Sequence, residues 1–235
     1  MDSQEIERTL SETERALEGD GKPDLKQLGF WKAVGATKRD RGLVDRYADR
    51  IGAIDRKSFE RRVSLRFPAA LGVVVDVFQL ALGIGLIALV LAPLTGPSPW
   101  ATSPWRELVF LAGMGAILVA SHTLTHWVVG TLSGIRFTHW FAVPPFKPQP
   151  GFKIDYASYL RTRAVSRAWM HASGAIVTKL VPFAAYPFAL EAGLDPWAIW
   201  LILGIGVIQI ATDAFWSVKA SDWKKFKREM RAARA

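Results

Sequence analysis

The sequence predicts an all-α membrane protein with four membrane-spanning helices, and two observations support this fold class. Half of the 235 residues are hydrophobic, and the charged residues lie mainly outside four long apolar stretches. These stretches are long enough to cross a hydrocarbon core of about 30 Å at about 1.5 Å per residue. They cover residues 69–93, 107–131, 168–190 and 197–218. A small β-hairpin and an amphipathic helical amino-terminal region complete the predicted fold.

The first element is a charged region, residues 1–66, in which sparse apolar positions recur at helical spacing. This pattern predicts exposed or surface-lying helices. We expect no cleavable signal peptide, because no short apolar stretch with a small-residue cleavage site lies near Met1. The charged region and the four apolar stretches divide the chain into a helical region (1–66), a transmembrane domain (67–219) and a basic tail (220–235). We expect the tail to be an interfacial helix.

The basic residues predict an orientation. Lys and Arg cluster before the first span, between the second and third spans and in the tail, whereas the other two connections contain only Arg106. Under the positive-inside rule, both termini and the long middle connection are cytoplasmic. The formal net charge of +9 then faces anionic lipid, so we expect the bilayer and a membrane protein substrate or partner, and no nucleic acid.

The middle connection predicts a hairpin on the cytoplasmic side. Aromatic and branched residues favour a strand over 135–143, and the Pro-rich residues 144–151 favour a stiff extended loop. Residues 153–160 are the expected second strand.

Two histidines in the second span predict a metal site. The chain has no Cys, so a metal has to be bound by His, carboxylate or water. His122 and His126 are four residues apart and share one face of a helix. Asp213 in the fourth span lies at a similar depth, roughly 24 Å from the outer edge against 22 Å for His122. A His₂–Asp set suits zinc with one open position; the alternative is that both imidazoles only hydrogen-bond to neighbouring helices.

These motifs resemble those of a known family. His122-Thr-Leu-Thr-His126 is followed by Val-Val-Gly-Thr-Leu-Ser-Gly-Ile-Arg-Phe, and the third span begins Arg167-Ala-Trp-Met-His-Ala-Ser-Gly-Ala-Ile. Both segments resemble spans of site-2-protease-like (M50-type) intramembrane zinc metallopeptidases. The resemblance implies that His122, His126 and Asp213 bind zinc. It also implies that Thr123 occupies the position of the catalytic Glu of HExxH.

Thr123 is the main departure from the family pattern, because a hydroxyl cannot act as a general base near neutral pH. Asp213 also lacks the surroundings usual in the family, so Asp76 is an alternative third ligand, or even the base. His171 and Lys179 are further polar residues expected near the centre, with Asp76 or Asp213 as counter-ion of Lys179. His139 is expected to be a packing residue.

The predicted function is that of an intramembrane zinc-binding protein of site-2-protease type. Without the catalytic Glu, we expect it to be catalytically impaired or inactive and to bind membrane substrates or partners. Two alternatives remain open: an active protease with an unusual base, and a metal-free membrane adaptor that binds partners through residues 1–66. A b-type haem between His171 and either His122 or His126 is a further alternative.

Overall fold

The computed structural model describes residues 1–19, 21–92, 105–143, 147–215 and 221–234. In this part of the chain the protein is mostly helical, with one small antiparallel sheet. The helices are α1 (Ser3–Ala16), α2 (Phe30–Thr37), α3 (Arg41–Arg62), α4 (Ala69–Leu91), α5 (Trp105–Leu132), α6 (Tyr156–Arg161), α7 (Ala164–Glu191), α8 (Pro196–Phe215) and α9 (Asp222–Arg234). The strands are β1 (Arg66–Pro68), β2 (Phe137–Val143) and β3 (Lys147–Ile154).

Four helices, α4, α5, α7 and α8, are long and apolar enough to cross a membrane. They coincide with the four predicted spans, although residues 93 and 216–218 of those predictions lie outside the described residues. Large apolar side chains on these helices face outward, and Phe78, Trp200 and Ile208 expose 61–71% of their surface. Such exposure suits lipid rather than water as the surrounding medium. The four spans indicate a multi-pass membrane protein.

The described chain divides into two compact units. The helix–sheet unit comprises Met1–Ala69, Gly130–Ala168 and Lys227–Ala235, and the span unit comprises Ala70–Val129 and Trp169–Phe226.

In the helix–sheet unit, α1, α2 and α3 pack around a shared hydrophobic core. The sequence predicted the helices, but it predicted them as exposed or surface-lying and not as packed against one another. Asp2 and Asp40 cap α1 and α3 by accepting hydrogen bonds from backbone N–H groups in the first turn. Arg50 of α3 also binds Glu7 and Glu14 of α1. The core is formed by Ile6, Leu10, Leu17, Leu25, Phe30, Ala33, Val34, Val44, Tyr47, Ala48, Ile51, Ile54 and Leu160.

The sheet has three strands in the order β1-β2-β3, so the predicted hairpin has an additional strand. Strand β2 confirms the expected first strand. The second strand is β3, so the prediction of a strand over 153–160 was wrong for most of its length. The chain leaves the strand at Asp155, which is the N-cap of α6. The Asp155 side chain accepts a hydrogen bond from Ser158 N in the first turn of that helix. Of the predicted Pro-rich loop, residues 144–146 lie outside the described residues, and 147–151 belong to the edge strand β3, where Pro is tolerated.

In the span unit, α4 and α5 approach closely at two glycines. A Cβ atom added to Gly83 would lie 2.7 Å from the backbone oxygen of Gly113, so any side chain there would push the helices apart. Phe110 and Met114 of α5 are fully buried with small residues of α7 such as Ala185 and Ala189. The spans are therefore packed through small residues on one side and expose large ones on the other.

Candidate metal centre

Three potential ligand atoms meet in the span unit. His126 Nε2 lies 3.2 Å from His122 Nε2 and 3.2 Å from Asp222 Oδ2, and His122 Nε2 lies 3.5 Å from the same oxygen. A tetrahedral zinc ion with ligands at about 2.0–2.1 Å separates any two of them by about 3.3–3.4 Å. The triangle therefore has the edge lengths of one face of a tetrahedral site.

Both imidazole rings are held through their other nitrogen. His126 Nδ1 donates a hydrogen bond to the backbone oxygen of Met170 at 2.5 Å. His122 Nδ1 lies 2.8 Å from Thr178 Oγ1, whose own proton is donated to the backbone oxygen of Gly174 at 2.7 Å. The hydroxyl oxygen can therefore accept from His122 Nδ1. Such partners fix ring orientation and tautomer in metal sites.

This hydrogen bonding assigns the proton of each neutral ring to Nδ1, which leaves a lone pair on each Nε2. The lone pairs of the two Nε2 atoms and Oδ2 of Asp222 are then directed at the same small volume. Three acceptors at 3.2–3.5 Å repel one another unless a cation or an additional proton lies among them. The arrangement is thus suited to a metal ion, with a proton on one ring as the competing species.

Helix α9 brings Asp222 to the rings. Phe226, one turn further along α9, packs against Trp169 of α7 and against Trp223, with ring centroids 5.6 Å apart in both pairs. Lys225 Nζ lies 3.0 Å from Asp222 Oδ1, which leaves Oδ2 facing the histidines. When a proton on His126 takes the place of a metal ion, burial raises the pKa of Asp222, but the charged imidazole and the Lys225 ammonium outweigh it and hold the net pKa below that of an ordinary carboxyl.

The three side chains of the centre are only partly buried. The side chains of His122, His126 and Asp222 expose 18%, 16% and 17% of their surface. Three protein ligands would leave one position of a four-coordinate metal ion open to a further ligand.

Gly174 of α7 provides the space for His126. A Cβ atom added at this position would lie 2.7 Å from two carbons of the His126 ring, Cδ2 and Cε1. This distance is far below van der Waals contact. Gly174 is therefore required here for steric reasons.

The carboxylate at the two rings is that of Asp222, and not that of Asp213, the third ligand expected from the sequence. Asp213 forms an ion pair with Lys179, which also donates to the backbone oxygen of Ala175 at 3.0 Å. Asp213 is thus one of the two counter-ions expected for Lys179. An unpaired ammonium within a span is costly, which is the physical reason for this pairing.

The other polar residues singled out in the sequence occupy different positions. Thr123 Oγ1 donates to Asp76 Oδ2 at 2.6 Å, and both side chains are buried. His171 is buried in α7, directly after Met170, whose carbonyl holds His126. His139 lies on β2 in the helix–sheet unit, where its ring packs 5.8 Å from that of Phe59, as expected for a packing residue.

Sequence reasoning missed Asp222, since it lies outside the apolar stretches and begins a helix rich in Lys and Arg. An acidic residue in the first turn of a helix is normally explained by the helix dipole. Comparison with known proteins adds no assignment: no family model matches the chain, and no curated protein or solved structure is significantly similar to it.

Proposed function

We propose that this chain is an intramembrane zinc-binding protein whose ligands are His122, His126 and Asp222. The observation that carries the proposal is the triangle of three ligand atoms at 3.2–3.5 Å, formed by rings whose Nδ1 atoms are already engaged. Zinc suits two imidazoles and one carboxylate in a tetrahedral set.

We further propose that the protein is a relative of site-2-protease-type metallopeptidases that binds membrane substrates or partners without cleaving them. The support is the HxxxH spacing on an apolar helix and the Gly-containing helix packed against it. Thr123 stands where that family has its general base, and its hydroxyl is hydrogen-bonded to Asp76. The basic connections favour cytoplasmic termini, which would put the centre in the inner third of the bilayer.

Metal analysis of the purified full-length protein tests the zinc proposal. After exposure to zinc and dialysis, elemental mass spectrometry should find about one zinc per chain. His126→Ala should abolish this zinc, whereas His139→Ala, which removes a histidine from the sheet, should retain it. A wild-type protein without zinc, or equal zinc in both variants, would contradict the proposal.

An active protease with an unusual base is the second candidate, and one contact favours it. The 2.6 Å hydrogen bond joins Asp76 to the residue that follows the first histidine, so a carboxylate adjoins the position of the missing Glu. Cleavage of single-span membrane peptides in lipid nanodiscs, lost in both Asp76→Asn and His126→Ala, would support this candidate. Uncleaved peptides across a diverse set would leave the non-cleaving protein as the better account.

A further inference from the structure

A second candidate site lies in the helix–sheet unit, away from the histidines. It is a cavity of about 590 Å³ between one face of α2 and the last turns of α9. Its wall contains four cationic side chains and one carboxylate, that of Glu229. The cations are Lys38, Arg39, Arg228 and Arg231.

The single carboxylate is already neutralised. Glu229 is 1% exposed, and its two oxygens lie 2.8 Å from Lys38 Nζ and 2.7 Å from Arg167 Nε. These two cations outweigh burial and lower the pKa of Glu229 to about 2. Glu229 thus serves as a structural counter-ion of Lys38 and Arg167, with only a 3.6 Å contact to Arg228.

The remaining charge is exposed and uncompensated. In the described part of the chain, neither Arg39 nor Arg231 forms an ion pair, and both side chains are exposed. Guanidinium groups present planar sets of donors that match phosphate oxygens. The cavity therefore has the charge and donor geometry for an anion with several oxygens.

The cavity also has an aromatic wall. Trp31 remains 41% exposed, and its ring lies 5.6 Å from that of Tyr156, with Val34 beside them. Trp is enriched where membrane protein surfaces meet lipid headgroups, because its ring is apolar and its N–H is polar. A small inorganic anion would leave this surface unused, whereas an amphiphile would cover it.

We propose that this cavity binds the phosphate group of an anionic amphiphile, with Arg39 and Arg231 contacting the phosphate and Trp31 contacting the apolar or glycerol portion. The phosphate chemistry is shared by two sources, an anionic phospholipid headgroup and a free phosphate compound. The proposal is independent of zinc, since none of the three proposed ligands lines the cavity.

Calorimetric titration of the full-length protein in nanodiscs of phosphatidylcholine tests the proposal with two probes. The first is dioctanoyl phosphatidylglycerol and the second is inorganic phosphate. Arg39→Gln and Arg231→Gln should each weaken the affinity for whichever probe binds by about fivefold, and the double variant should weaken it by about 25-fold. Arg15→Gln, an exposed arginine on α1 outside the cavity, should leave the affinity unchanged.

The two probes separate the sources. Lipid binding that is weakened by Trp31→Leu and is not displaced by inorganic phosphate would assign the site to a headgroup. If inorganic phosphate binds with the same dependence on Arg39 and Arg231 and the lipid does not bind, the amphiphile is overturned and a free phosphate compound is the occupant. Failure of both probes to bind, or an equal loss in Arg15→Gln, would overturn the proposal.

Discussion

Gly174→Ala is the perturbation that tests the geometry of the centre without removing a ligand. The added methyl carbon would lie 2.7 Å from two carbons of the His126 ring, whereas carbon atoms in contact are about 3.5–4.0 Å apart. The ring therefore has to move by about 1 Å. Metal–ligand distances tolerate only about 0.2 Å, so we expect zinc affinity to fall by about 10- to 100-fold, as when groups that orient a ligand are removed.

Gly115→Ala is the matched control, because a Cβ atom at that position of α5 meets no heavy atom within 4 Å. Both substitutions raise helix propensity by a similar amount, about 1 kcal/mol. Competition between each purified variant and a zinc chelator gives the affinities. We expect Gly115→Ala to match the wild type and Gly174→Ala to lose most of its binding.

A double variant separates the steric effect from general destabilisation. Gly174→Ala should lower stability by about 1–3 kcal/mol through overpacking, and this loss should disappear in a His126→Ala background, where the ring is absent. Thermal unfolding of the four zinc-free proteins measures this coupling. Unchanged zinc affinity in a folded Gly174→Ala protein would refute the assigned position of His126.

Three further predictions follow from the same contacts. Asp222→Ala should abolish zinc binding measured by elemental analysis and Asp213→Ala should not, so equal retention in both would remove Asp222 from the ligand set. If the surrounding machinery is intact, Thr123→Glu should produce zinc-dependent cleavage of a membrane peptide in a gel assay; a zinc-loaded variant that never cleaves would contradict that. Glu229→Gln should destabilise the protein by about 3 kcal/mol, because it leaves buried cations without their carboxylate. Since the pKa of Glu229 is lowered to about 2 from 4.5, its contribution is present above pH 4.5 and is lost as pH falls toward 2, so the melting temperature of Glu229→Gln should depend less on pH in this interval.

The spans and the histidine pair could be predicted because each depends on local spacing. A continuous apolar stretch of about 20 residues has few alternatives to a membrane span, and residues four apart on a helix share a face. His122 and His126 therefore follow from the sequence, and their Nε2 atoms lie 3.2 Å apart in the structure.

The third carboxylate could not be predicted in the same way. Depth along straight spans singled out Asp213, but depth carries no information on which side of its helix a residue faces. The structure instead pairs Asp213 with Lys179, and packing of Phe226 on Trp169 brings Asp222 to the rings. Such tertiary packing is not encoded in any local pattern of the tail.

The sequence predicted only part of the sheet correctly. Strand β2 was predicted from its branched and aromatic residues, but β3 contains Pro148 and Pro150, which normally argue against a strand. Its place at the edge explains why they are tolerated, and that place depends on the order of the three strands. Likewise, the apolar positions of α1 to α3 predicted helices, whereas their shared core depends on how the helices meet.

X-ray absorption at the zinc edge tests the central claim most directly, because it reports the atoms bound to the metal. We expect two imidazole nitrogens and one carboxylate oxygen at about 2.0–2.2 Å in a four-coordinate site, with the imidazole scattering reduced in His126→Ala. A spectrum of zinc bound only to water and carboxylate oxygens, unchanged by that substitution, would contradict it.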